Sequence, residues 1–137
     1  MMFALYFIGA SPITQDLPMV YAEVIPSLPV LEKYTIEQVK TLTDYYGEKY
    51  NVSSKVMLNV IQCETHFNNV QSSIYKDGVR EDSWGIAQFH LPSKNKIDEK
   101  VITKEMAMNP NIAVEAMAQI MSKGQYNRWS CYRKIYG

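Results

Sequence analysis

Glu64 stands where a carboxylate is least at home. Met57, Val60, Ile61 and Glu64 recur at helical spacing, and at 100° per residue Glu64 falls about 20° from Met57 and between Val60 and Ile61. It is therefore within an apolar stripe, while Lys55, Asn59 and Gln62 point the other way. Loss of hydration penalises the charged form, so such a carboxyl should have a raised pKa and serve as a general acid near neutral pH. A carboxylate at a helix end that reaches solvent or bonds a loop would fit the same position, and helical placement alone leaves both readings open.

Cys63 precedes the glutamate and Cys131 lies near the C-terminus; the chain has no other cysteine. Cys63 is on the flank of the same helix, beside Val56 and Val60, so a disulfide to Cys131 would pin the C-terminal segment across it. Two reduced, buried thiols are the plainer alternative. A third reading joins Cys63, His66, His90 and Cys131 as a zinc set, but their spacing matches none of the usual zinc modules. The expectation is a disulfide, no metal and no cofactor.

The elements that must position these groups can be read from caps and periodicity. Thr35 with Gln38 forms a capping-box pattern, and Ile36, Val39, Leu42, Tyr46 and Tyr50 keep helical spacing, predicting a helix from about Thr35 to Lys49. Ser53 or Ser54 can cap the helix that carries Glu64. Asp77-Gly78, between short β-favouring segments, predicts a hairpin turn. Thr103 opens a short helical stretch, and Asn109-Pro110 supplies an N-cap and an N1 proline for a helix that ends at Lys123 and Gly124.

Composition narrows the partners. Hydrophobic residues make up 47% of the 137 residues and charged residues 20%, as in a folded globular chain. Fourteen basic and fourteen acidic residues cancel, and no basic run tracks a phosphate backbone, so no nucleic-acid partner is expected. Ten tyrosines and two tryptophans are more than a small core requires and suit stacking on sugar rings. The first 33 residues hold an apolar run too short to span a bilayer and then become proline-rich. They read as an N-terminal arm, or as a signal or export leader cut after Ala10 or after Val20-Tyr21-Ala22, although the leader's usual basic start is missing. Residues 34–137 form the domain proper, expected to be a monomer without stable membrane insertion.

Three motifs in order carry a resemblance. Cys63-Glu64-Thr65-His66-Phe67-Asn68, Ser83-Trp84-Gly85-Ile86-Ala87-Gln88 and Asn109-Pro110-Asn111-Ile112 resemble the soluble lytic transglycosylase domain, the lysozyme-like group that includes goose-type lysozymes. That group has Glu-Ser-x-Phe at the end of a buried helix, then Gly-Leu-Met-Gln, then Asn-Pro opening a later helix. Thr65 replaces the family serine and keeps its hydroxyl, and Ile86-Ala87 replaces the middle pair of the second motif. The resemblance covers roughly residues 54–132.

It implies a mainly α-helical, lysozyme-like domain with a small β-hairpin. It further implies cleavage of the β-1,4 bond between N-acetylmuramic acid and N-acetylglucosamine in peptidoglycan glycan strands, with Glu64 as the single acid/base and a 1,6-anhydro product. A hydrolytic muramidase, in which Asp77, Glu81 or Asp82 would position water, is the nearest alternative, and a catalytically inactive glycan-binding module is another. Gln88 is carried over as a substrate-binding amide, and Gly85 as a close approach of backbone to sugar. Thr65 and Ser83 are expected to hydrogen-bond in the catalytic region. Trp84 could stack on a sugar or lie in the core. Tyr126-Asn127 resembles the family's Tyr-Asn pair near the acid better than Cys131-Tyr132 does, so Tyr126 is the tyrosine assigned to substrate. Such a substrate implies an extracytoplasmic location: periplasmic, secreted or virion-associated.

Overall fold

A computed structural model describes residues 24–95 and 98–137, so both leader cleavage positions lie outside the described residues. Helix α1, Ile36–Tyr50, starts at Thr35, whose hydroxyl accepts from the Gln38 amide while the Gln38 side chain accepts from the Thr35 amide. This reciprocal cap satisfies two of the donors that every helix start leaves open. Helix α2, Ser54–Thr65, is capped by Ser53, and α4, Pro110–Ser122, by Asn109 with proline at its first position. A short α3, Lys104–Met108, follows Thr103 as its cap.

Helices α1, α2 and α4 meet through their apolar faces. Val39 and Leu42 of α1, Met57, Val60 and Ile61 of α2, and Val114, Met117, Ile120 and Met121 of α4 are essentially removed from water. Full burial of an aliphatic side chain of this size contributes about 1.5–3 kcal/mol. Ile36, expected on the same stripe of α1, is exposed at the first position of the helix.

Between α2 and α3 the described residues form three antiparallel pairs of two-residue strands rather than the single hairpin expected. β1, Tyr75–Lys76, pairs with β2, Val79–Arg80, across the Asp77-Gly78 turn, with both turn residues at positive φ. β3, Ser83–Trp84, pairs with β4, Phe89–His90, and β5, Ser93–Lys94, pairs with β6, Val101–Ile102. The molecule is thus mainly α, with a small β region on one side.

After α4, a 3-10 turn at Tyr126–Arg128 leads into α5, Ser130–Tyr136, which packs on α2. Cys63 and Cys131 are joined by a disulfide that links these two helices, with their Cα atoms 5.9 Å apart. Residues ahead of α1 are bound to the body as well. The Tyr34 amide donates to the Phe67 carbonyl and the Asn69 amide to the Glu32 carbonyl, and Leu28 exchanges two hydrogen bonds with the Asn111 side chain. Among the described residues no helix is long and apolar enough to cross a membrane.

Candidate active site

The last turn of α2 delivers Glu64 to an open groove of about 590 Å³. His66 and Phe67 follow in left-handed backbone at φ 53° and 68°, and this pair turns the chain away from the helix axis, leaving the carboxylate at the rim of the core. Loop residues after α2, the β3–β4 strands and the start of α5 form the walls. The groove is therefore assembled by the end of α2, the loop that follows it and the β3–β4 pair, and closed by the C-terminal helix.

Glu64 has two opposed influences on its proton. Burial of the carboxyl raises its pKa above the ordinary glutamate value, and the charge of Glu81 acts in the same direction. Against this, the Cys131 amide donates to Glu64 Oε2 at 3.1 Å, Lys134 is nearby, and the Ser130 hydroxyl adds a further stabilising contact. Desolvation is the largest of these effects and the net direction is upward. α5 has no side-chain cap at its own start, where Trp129 occupies the cap position. Glu64 supplies the acceptor in its place, so the acid and the C-terminal helix orient one another.

A second carboxylate faces the same groove. Glu81 accepts from the Ser72 hydroxyl on Oε1 at 3.0 Å and from the Ser83 hydroxyl on Oε2 at 2.9 Å. Ser83 Oγ also lies 3.1 Å from His90 Nδ1. With the serine proton directed to Glu81, the imidazole must donate from Nδ1, which completes a Ser–His–Ser arrangement around one carboxylate. Of the three acidic residues considered for a water-positioning role, Glu81 alone lines the groove. Asp77 is in the β1–β2 turn, and Asp82 accepts from the Trp84 indole. Sequence spacing could not separate the three; the serines at 72 and 83 were the available signal.

The remaining expected site residues divide. Thr65, Ser83 and Gln88 line the groove with Glu64, whereas Gly85 and Tyr126 do not. The Thr65 hydroxyl donates to the Ile61 and Ile86 carbonyls at 3.2 and 3.0 Å, tying α2 to the loop of the second motif. The Gln88 amide nitrogen donates to the Val70 and Gly85 carbonyls, so its two protons hold loops and its oxygen is the group left to meet a ligand. Gly85, at φ 82°, brings its α-carbon against α3, where an added Cβ would lie 1.9 Å from the Ala107 carbonyl oxygen. Its close approach is to protein backbone. Tyr126 is stacked with Tyr132, ring centroids 4.9 Å apart, outside the groove. Trp84 is half-buried with the Lys104 ammonium 4.2 Å over its ring.

Sequence reasoning missed Trp129 and the basic residues around it. Trp129 is buried, donates its indole N–H to the Ala87 carbonyl at 2.8 Å, and lines the groove beside Arg128 and Arg133. The disulfide takes both thiols of the zinc set, which leaves His66 and His90 without thiolate partners. Comparison of the chain with protein-family models, with characterised proteins and with solved structures gives no match.

Proposed function

We propose that this chain is a lysozyme-like enzyme that cuts the glycan strands of peptidoglycan as a lytic transglycosylase, with Glu64 as its acid/base. The observation that carries the reading is the Glu64 carboxyl, which is desolvated in the wall of an open groove and yet fixed in direction by the Cys131 amide. The Cys131 amide donates to Oε2, so the neutral carboxyl would carry its proton on Oε1, the oxygen from which it can be given to a glycosidic oxygen. As the C1–O bond breaks, Glu64 becomes a carboxylate, which Cys131 N–H and Lys134 stabilise. The same carboxylate then takes the proton of the sugar's own C6 hydroxyl while that oxygen bonds C1, closing the 1,6-anhydro ring and restoring the acid. One glutamate completes the cycle and no water is consumed.

Glu81 favours keeping hydrolysis as the second reading. A carboxylate held by two hydroxyls across the same groove could orient a water for attack on C1. A binding module without catalysis would use the groove but would not require the acid. Digestion of purified sacculi followed by mass spectrometry of the soluble muropeptides separates the three. Anhydro ends are expected; reducing ends would make the enzyme a hydrolase, and intact strands a binder. Glu64→Gln keeps the acceptor for Cys131 but cannot shuttle a proton, and full cleavage by that variant would end the proposed mechanism.

The disulfide supports an extracytoplasmic location, since such bonds persist in oxidising compartments and the substrate lies outside the cytoplasm.

A further inference from the structure

Beyond the groove, a hollow of about 310 Å³ is lined by Pro92, Ser93, Lys94 and Val101 from the β5–β6 pair and its approach, and by Arg128 from the 3-10 turn. Arg128 also lines the groove that holds Glu64, so one guanidinium is a wall of both. We propose that this hollow is a binding site for a phosphate ester, carried by the glycan strand whose next sugars occupy the groove. The identity of the carrier rests on the peptidoglycan reading above; the phosphate site does not.

Arg128 is oriented without being neutralised. Its Nη1 donates to the Lys94 carbonyl at 3.1 Å and its Nη2 to the Ser93 hydroxyl oxygen. A guanidinium has five donors, so three are left for a ligand. Among the described residues no carboxylate is within ion-pair distance of Arg128 or of Lys94. Desolvation lowers the Arg128 pKa, and no anion of the surrounding protein offsets it. Ser93 is an independent sign of a ligand. It is 5% exposed and accepts from Arg128, while its own proton meets no acceptor among the described residues. A hydroxyl so far buried normally has its donor used, and an anion beside Arg128 would use it.

The donor set selects among anions. The guanidinium reaches the hollow from the 3-10 turn and the hydroxyl from β5, so donors arrive from two elements. That arrangement suits the tetrahedral oxygens of a phosphate, whereas a planar carboxylate is satisfied by the guanidinium fork alone. Lys94, exposed on the same strand, adds positive charge at the rim. Pro92 and Val101 offer apolar contact to the carbon groups of an ester. A pyranose ring finds no aromatic face here, so the hollow takes a substituent of the strand and not a further sugar.

The test has two arms. In the first, the whole protein in chloride buffer is titrated with dimethyl phosphate and, as a carboxylate control, with acetate. NMR follows the Arg128 Nε–H and the backbone amides of Ser93, Lys94 and Arg128. Dimethyl phosphate should give saturable shifts that Val101→Thr keeps and that Val101→Glu and Arg128→Gln abolish, with circular dichroism showing each variant folded. Absent or non-saturating shifts, or equal shifts with acetate, would overturn the phosphate site. In the second arm, glycan strands bearing a phosphodiester-linked polymer are compared with the same strands after cold hydrofluoric acid, which cuts phosphodiesters. The wild type should cut the phosphate-bearing strands with a kcat/KM about tenfold higher, the scale of one charge-assisted hydrogen bond. Val101→Glu should lose that preference and keep the wild-type rate on acid-treated strands. Equal wild-type rates on both, beside saturable binding in the first arm, would overturn the glycan as carrier and assign the site to free phosphate. If neither substrate is cut, it is the cleavage reading that fails, and the first arm alone decides the hollow.

Discussion

The disulfide should do more than hold two helices, because its cysteines adjoin both ends of the bond that orients the acid. Cys63 is the neighbour of Glu64 in α2, and Cys131 owns the amide that donates to Glu64. The perturbation is Cys63→Ser with Cys131→Ser. The bridge spans 68 residues of sequence, for which the chain-entropy account gives a stabilisation of roughly 4 kcal/mol. For a domain of this size, that loss corresponds to a fall in Tm of roughly 15–20 °C. The second effect is electrostatic. The Cys131 amide lowers the Glu64 pKa against the rise caused by burial, so releasing the start of α5 should let that pKa climb further. Below the new Tm, the alkaline limb of kcat/KM on sacculi should move to higher pH, and kcat should fall as the carboxyl loses its fixed direction. Scanning calorimetry reads the first effect and a pH–rate profile the second. A large fall in Tm with an unchanged profile and kcat would refute the coupling and reduce the disulfide to a staple.

Glu64→Gln should be more stable than the wild type above the ordinary glutamate pKa. Because the folded pKa is raised, Glu64 favours the fold least once it is ionised, so the Tm difference should open as pH rises through the raised pKa and then level off; a constant difference across that window would contradict the desolvation argument. Gly85→Ala should cost about 3 kcal/mol or more, since it combines positive φ with a collision against the Ala107 carbonyl; urea denaturation would show it, and a near-native midpoint would mean that α3 can move aside. Thr65→Val should lose roughly 1–2 kcal/mol by removing the hydroxyl between the Ile61 and Ile86 carbonyls, while Thr65→Ser should retain most of the stability; a loss in Thr65→Ser with none in Thr65→Val would assign the effect to the methyl group instead.

What could be read in the sequence was local. The Thr35–Gln38 box, the Ser53 cap and the Asn109-Pro110 start each place a helix end from residues within one turn of it, and the structure has all three. The Asp77-Gly78 turn is of the same kind. α5 was not foreseen because its cap is non-local: Glu64 lies far away in sequence, and Trp129 offers no side-chain acceptor. The β3–β4 and β5–β6 pairs were missed because two-residue strands leave no periodicity to detect. Around the groove, Glu64 and its burial followed from helical spacing, whereas the bonds of Thr65 and the close approach of Gly85 depend on α3 and residues 86–88 folding back over α2. Residue type suggested contact with substrate; the fold uses both to join its own parts.

The two hydrogen bonds between Leu28 and Asn111 have a mechanical meaning. Together with the Tyr34–Phe67 and Asn69–Glu32 bonds, they make the segment ahead of α1 a strap across the start of α4 and across the turn that follows Glu64. Tension on the chain before Leu28 would load this strap in series, first Asn111 and then residues 67–69, before reaching the core helices. An anchor or cargo attached at that end would therefore pull on the backbone beside the acid, so attachment and catalysis would share a single load path.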